Sequence, residues 1–393
     1  MRVCAVCVTA DGLGTGMTGG AENQVALLLS HLATRGHETT LVVPGLDDLP
    51  STREGVRILS GWDSHKGARG LRAFTYRLPR LRQVLREVAA DAFYIRGFST
   101  FASSVVAAAH DVGACSLLAL AHDFDLRLKR GDGGPIRRGL YERSLDGRAA
   151  SLYYRQRGLR RASCVIAQTQ SQLERCRLLG LRSACVSNIV EPPQEKAQGA
   201  GDGAHAVWVG SLSWKKGVEE LAELVDRLHD VSFEIIGPVR PSIPRATVDR
   251  LLQGHNVRYL GELPHALVWE RMWRSRILIN TSPAEGFANV MLEAWAMGTP
   301  VVSLASNPDG LLSGDESLGL CAGGSLTDMA SMIRRLLADD ESRESAGHRA
   351  AEYVRRAHSP SEVCRQFEEL VGAIRAGGRE AYGRRLEKGR SES

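Results

Sequence analysis

The chain has 393 residues, 43% of them hydrophobic and 24% charged, with a formal net charge of +5. That length gives room for two or three domains, and the composition excludes a largely disordered chain, a coiled coil and a collagen. No uncharged apolar run reaches the ~18 residues of a membrane span; the most apolar window, Gly97 to Ala121, is interrupted by His110 and Asp111. The N-terminus enters a short apolar run, Val3 to Val8, without the h-region or cleavage site of a signal peptide, so a cytoplasmic protein is expected. The eight cysteines are scattered and too few for a disulfide scaffold. Cys4 and Cys7 form a C-x-x-C, but residues three apart on a strand face opposite sides. Buried strand thiols are the expectation there.

Charge is unevenly distributed. Residues 1–190 carry a net +10 and residues 191–393 a net −5. The excess lies between Arg69 and Arg86 and between Arg127 and Arg161. In the first stretch Leu71, Phe74, Leu78, Leu81, Leu85 and Val88 recur at helical spacing, and Pro79 is expected to divide it into two helices. A basic amphipathic helix can lie on an anionic membrane surface or be an ordinary solvated face. With no zinc-finger spacing and no RNA-binding aromatic signature, nucleic acid is not an expected partner.

Strands and helices then alternate. Val3–Thr9 reads as a strand and Glu22–Thr34 as a helix with Val25, Leu28, Leu29 and Leu32 on one face. Thr39–Val43 is the next strand, stopped by Pro44. Phe93–Ile95, Ala102–His110, Ser116–Ala121 and Cys164–Ala167 continue the pattern of a doubly wound parallel sheet. The stretch from Glu191 to His205, rich in Pro, Gly and Ala, reads as a linker. The alternation restarts with strands at Ala206–Val209, Phe233–Ile236, Val257–Leu260, Ile277–Asn280 and Val301–Leu304. Helices are expected at Val218–His229, Asn289–Met297, Leu326–Ala338 and Glu341–Ala357, and the chain ends in a helix and a polar tail from Ser359. The expected fold class is α/β, with a first Rossmann-like domain over 1–190, a linker over 191–205 and a second over 206–358. Ligands of such sheets bind beyond the carboxyl ends of the strands, so a cleft between the domains is the expected site.

Three clusters carry chemistry. Gly14, Gly16 and Gly19 fit G-x-G-x-x-G between a strand and a helix, the dinucleotide fingerprint. The acid that should hold the ribose is missing, because the second strand ends Val42-Val43-Pro44, so an NAD cofactor is not expected. What survives is general: glycines let backbone N–H groups approach a phosphate, and a helix N-terminus favours negative charge. The second cluster is Gly210 to Gly217, where Lys216 can hold a phosphate as a point charge or be a solvated loop lysine. The third, Asn280 to Pro300, places Glu285 in a loop and Glu293 one turn into a helix. The backbone of Gly286, Phe287, Ala288 and Asn289 opens that helix toward an anion or hydroxyl. Carboxylates are acceptors only, which suits a polyhydroxylated ligand. The bland alternative makes Glu285 a helix-terminal charge and Glu293 a surface residue.

Together these motifs resemble the retaining GT-B glycosyltransferases of family 4, over about Arg2 to Ala357. Gly19-Gly20-Ala21-Glu22 and Arg35-Gly36-His37-Glu38 match the family's G-G-A-E and R-G-H-E. Glu285 and Glu293 match its E-x7-E, Gly298, Pro300, Val301 and Val302 its G-x-P-V-V, and Lys216-Gly217 its phosphate lysine. The resemblance implies a GT-B fold of two Rossmann-like domains and sugar transfer from a nucleoside-diphosphate sugar to a hydroxyl acceptor, a lipid-linked one included. It implies that Gly19 and Gly20 approach the donor and that Lys216 pairs with the leaving diphosphate. It also implies that Glu285 holds the donor sugar, that Glu293 holds the ribose, and that His122 lines the reaction centre. No metal or other cofactor is implied, and Asp123-Phe124-Asp125, a D-x-D, reads as coincidence. One departure is Ser211, where many relatives carry an arginine that grips the same diphosphate. That departure keeps two alternatives open: a sugar-nucleotide epimerase of the same fold, and a degenerate membrane- or partner-binding protein.

Overall fold

The computed structural model describes residues 1–7, 20–45, 51–68, 72–97, 99–126, 156–193, 205–241 and 243–377. They form two compact units. One comprises the described residues up to Ile189 together with the segment that begins at Pro360; the other is Val190–Ser359.

The first unit is built on an eight-stranded sheet. Its strands are β1 (Arg2–Val6), β2 (Glu38–Gly45), β3 (Thr52–Arg53), β4 (Val56–Asp63), β5 (Ala92–Arg96), β6 (Cys115–Ala119), β7 (Cys164–Ala167) and β8 (Ser183–Cys185), in the order β3-β4-β2-β1-β5-β6-β7-β8. Every pairing is parallel except that of the short β3 with β4. A parallel sheet is covered on both faces, so its strands are apolar throughout and divide their side chains by alternation. Val3, Ala5 and Cys7 enter one core, Cys4 and Val6 the other. The two cysteines therefore lie on opposite faces, as the strand geometry requires. Burial pushes the Cys7 thiol up to about 12 and the Cys4 thiol higher still.

Helix α1 (Gly20–Thr34) buries Val25, Leu28, Leu29 and Leu32, and Gly36 turns the chain at φ +85° toward β2. The expectation that Pro44 stops β2 is corrected. The strand runs on to Gly45, because the register with β4 shifts between Val43 and Pro44 and a bulge tolerates a residue with no N–H. The region after it contains β4.

The expected division at Pro79 is corrected: the backbone stays helical from Arg72 through Pro79, with Arg77 and Leu78 both in the αR region, because a widened turn precedes the proline and relieves its clash. A π-helical turn, Ala73–Arg77, leads into α2 (Leu78–Val88), which has proline in its first turn. Leu78, Leu81, Val84 and Leu85 enter the core, so the apolar stripe of α2 is spent on the protein interior. On its other side Arg82 and Arg86 both bond Asp111, the last residue of α3 (Phe101–Asp111). Those two guanidiniums hold the Asp111 carboxyl far below the usual carboxylate range. Most of the second basic stretch, 127–155, lies outside the described residues.

After α4 (Gln170–Leu178) and β8, the backbone at Ile189 is tied by Gln24, whose side chain both donates to the Ile189 carbonyl and accepts from its N–H. Linker residues 194–204 lie outside the described residues.

The second unit holds six parallel strands. They are β9 (Ala206–Val209), β10 (Phe233–Ile236), β11 (Val257–Gly261), β12 (Ile277–Asn280), β13 (Val301–Ser303) and β14 (Gly319–Cys321), ordered β11-β10-β9-β12-β13-β14. Its helices are α5 (Val218–Arg227), α6 (Arg245–Leu252), α7 (His265–Arg274), α8 (Asn289–Ala296), α9 (Leu326–Ala338) and α10 (Asp340–Ala357). Ala206 and Trp208 face one core and Val207 the other, so this sheet too is covered on both sides.

The last described helix, α11 (Pro360–Gly377), returns to the first unit. Its Val363, Cys364, Phe367, Leu370 and Val371 share a core with β1 and α1, and Phe367 meets Tyr94 edge-on at 5.9 Å. The R-G-H-E motif has a structural part here: the Arg35 guanidinium donates twice to the Glu368 carboxylate, each at 2.8 Å, and His37 Nε2 lies 2.8 Å from Glu368 Oε1. No helix among the described residues is long and apolar enough to cross a membrane.

Candidate functional site

The second unit assembles a site from two loops that leave neighbouring parallel strands, β9 and β12. After β9 the chain makes a 3-10 turn, Trp214–Lys216, which Gly217 closes with φ +69°. A side chain at 217 would have its Cβ driven into the Thr281 carbonyl, so only glycine meets both the dihedral and the space. The turn aims Lys216 across to the second loop, where its Nζ lies 2.5 Å from Glu285 Oε1. The Glu285 side chain is 7% exposed and that of Lys216 30%. Lys216 is therefore a fixed member of a charge pair rather than a solvated loop lysine, and Glu285 is not a surface helix charge. No hydrogen bond to Glu285 Oε2 is found among the described residues, so that oxygen keeps its acceptor capacity.

Between Glu285 and α8 the chain is irregular. Gly286, Phe287 and Ala288 are buried, and the Phe287 ring packs edge-on against Trp295 at 6.0 Å. Phe287 is thus held by its side chain, which fixes the neighbouring backbone amides. Helix α8 begins after Ala288 with no side-chain cap. Glu293 stands in its second turn with its side chain 16% exposed, and its Oε1 lies 3.1 Å from His265 Nε2. Hydrogen bonding to the Glu293 carboxylate pushes the His265 pKa above the ordinary histidine value. His265 follows Pro264 at the start of α7, a position that nothing in local periodicity connects to Glu293, 28 residues away.

The cationic contact missing at Ser211 is not visibly replaced by its neighbour. Ser211 Oγ lies 3.4 Å from Ser213 Oγ, and Lys215 Nζ lies over the Trp214 ring, 5.7 Å from its centroid.

The other sequence-derived residues belong to the first unit. Gly14, Gly16 and Gly19 lie outside the described residues, and Gly20 begins α1. His122 is exposed at the end of β6, on a turn that Asp125 fixes by accepting the N–H groups of Ala121 and His122 at 2.7 and 3.1 Å. Asp123 accepts from Gln172 at 2.8 Å. Both acids of the D-x-D thus have architectural partners.

Two family models match the chain: "Glycosyltransferase Family 4" over residues 18–192 and "Glycosyl transferases group 1" over 203–339. The lipopolysaccharide core biosynthesis glycosyltransferase LpsE of Rhizobium meliloti is 27% identical over 209 residues, covering 49% of this chain and 59% of LpsE. Alignments with the curated relatives span between 37% and 59% of those proteins' own lengths. Among solved structures, sucrose-phosphate synthase from Thermosynechococcus elongatus superposes with a TM-score of 0.73 at 17% identity, over 96% of this chain and all of that one. HepE from Anabaena, solved with UDP and glucose, gives 0.68 at 17% identity, over 95% and 100%. The fold is the GT-B fold of glycosyltransferases. The family 4 match falls on the first unit and the group 1 match on the second, each over less than half of the chain.

Proposed function

We propose that the protein is a retaining glycosyltransferase that moves a sugar from a nucleoside-diphosphate sugar to a hydroxyl acceptor without a divalent metal. The Lys216–Glu285 pair carries the reading: a cation and an acceptor-only carboxylate, side by side at the carboxyl ends of adjacent strands. A diphosphate needs the first and a sugar's hydroxyls the second. Lys216 stabilises the charge that develops as the diphosphate leaves, and Glu285 holds the sugar through Oε2. Glu293 receives the ribose hydroxyls beside His265. In the first unit, the residues from Gly19 and Gly20 into α1 approach the donor, and His122 serves the donor sugar or the acceptor.

The acceptor hydroxyl attacks on the face from which the diphosphate departs, and the departing phosphate takes the proton. No protein nucleophile is required, so the rate comes from positioning and from electrostatic stabilisation of the leaving group. HepE was solved with UDP and glucose, which makes UDP the first donor nucleotide to try. LpsE acts, by its name, in building lipopolysaccharide core, which supports a surface polysaccharide or glycolipid as acceptor; a small glycosylated metabolite is the alternative acceptor. An acceptor on a lipid would bring the protein to an anionic membrane surface through its basic first unit.

The test is Glu285→Gln, followed by NMR of donor consumption and product. Transfer should vanish while the fold is kept; transfer at the wild-type rate would remove Glu285 from the site. Ser211, with no arginine in its place, leaves an epimerase of the same fold open as second reading. A donor that rearranges with no acceptor present in the same NMR time course would establish that reaction instead.

A further inference from the structure

Lys216 is gripped at two ends. Its ammonium meets Glu285, and its backbone carbonyl accepts a hydrogen bond from the Thr281 hydroxyl at 2.8 Å. The same Thr281 oxygen accepts from the indole N–H of Trp208 at 3.0 Å. Thr281 is fully buried and Trp208 nearly so. A hydroxyl has one proton to give, and here the indole, which only donates, fixes which way it points: Trp208 occupies a lone pair, and the proton goes to Lys216. Gly217 then seats directly against the Thr281 backbone. The strand β9 residue Trp208, the first residue after β12 and the lysine turn are thereby tied into one relay.

We infer that Trp208 and Thr281 are positioning residues for donor binding: their hydrogen-bond relay sets the place of the Lys216 backbone and so aims its ammonium at the diphosphate. The inference rests on the donor-site reading above. Neither residue touches the substrate. A 1 Å displacement of a catalytic cation is enough to cost large factors in rate or affinity, so an indirect grip of this kind has a functional readout.

The experiment is calorimetric titration of UDP, with GDP and ADP run alongside, into the full-length wild type and a set of variants. Lys216→Ala should weaken binding at least tenfold. Thr281→Val keeps the shape, removes the hydroxyl and should weaken binding about tenfold, whereas Thr281→Ser should stay within twofold. Leu85→Ala, a core truncation in α2 of the first unit and in a different core from Trp208, should lower the melting temperature without moving affinity. Added to Lys216→Ala, Thr281→Val should change nothing further. Wild-type affinity in Thr281→Val, or an equal loss with and without Lys216, overturns the inference. If the wild type binds none of the three nucleotides, the donor-site reading fails on its own. The relay is then judged by exchange of the Trp208 indole N–H: slow in wild type and fast in Thr281→Val supports it, and equal exchange overturns it.

Discussion

Lys216 and Glu285 are 69 positions apart in sequence and 2.5 Å apart in space. Each belongs to a loop from one of two adjacent strands, and each compensates the other while nothing is bound. Removing either charge alone therefore has two effects, one on the ligand and one on the partner left behind.

Glu285→Gln and Lys216→Ala should differ accordingly. Glutamine keeps the size and can still accept from Lys216, so the melting temperature should change little while kcat/KM falls about a hundredfold or more. Alanine at 216 leaves a carboxylate that is 7% exposed without its cation, and a loss of about 1–3 kcal/mol in stability should accompany the loss of donor binding. Thermal melts and steady-state kinetics on both variants check the contrast.

Gly217→Ala should be more damaging than its size suggests. The φ of +69° and the collision with the Thr281 carbonyl act together. A loss of about 2–4 kcal/mol is expected, with donor affinity lost as the lysine turn shifts. Denaturant midpoints and a nucleotide titration measure the two effects.

His265 and Glu293 form a pH-dependent contact. The pair raises the His265 pKa, so its contribution to stability is full below the unfolded histidine value of about 6.5. It fades as pH rises through the higher folded value. The stability gap between wild type and His265→Gln should therefore narrow as pH rises above the unfolded value and through the higher folded one. In Glu293→Gln, the histidine's NMR titration should return toward its ordinary midpoint.

Glu368 behaves oppositely. The Arg35 guanidinium, with help from His37, holds its carboxyl down to about 2. Its contribution is present above the unfolded glutamate value of about 4.3 and is lost as pH falls toward about 2. Glu368→Gln should destabilise the protein near neutral pH, by an amount that solvent screening of the exposed Arg35 keeps small, and almost not at all at the acid end. Urea melts at several pH values test it.

Much of this was legible in the sequence wherever one local signal decided the outcome. Cys164–Ala167, Ala206–Val209, Phe233–Ile236 and Ile277–Asn280 were expected as strands with the ends they have, because buried parallel strands are short apolar runs between turn signals. Glu285, Glu293 and Lys216 were found as motif positions, and the structure brings Lys216 to Glu285 and sets Glu293 against His265. What stayed hidden depended on long-range partners. β4 alternates weakly, and its pairing with β2 makes it a strand. Pro44 signals a stop by local rules, and a bulge overrides it. The final helix was visible, but that its Phe367 and Glu368 belong to the first unit depends on Tyr94, Arg35 and His37, hundreds of residues earlier. Thr281 and Trp208 carry no motif; only the folded distances identify them.

A thermal-shift panel tests the donor site most directly: UDP, GDP, ADP, TDP and NAD against wild type and Lys216→Ala, each with and without EDTA. A ligand at about 100 times its dissociation constant stabilises by about 2.7 kcal/mol, a plainly visible shift. The expected result is a shift with at least one nucleoside diphosphate that EDTA leaves unchanged and Lys216→Ala removes. A silent panel, a shift with NAD alone, or an equal shift in Lys216→Ala would contradict a nucleoside-diphosphate site built on Lys216 and Glu285.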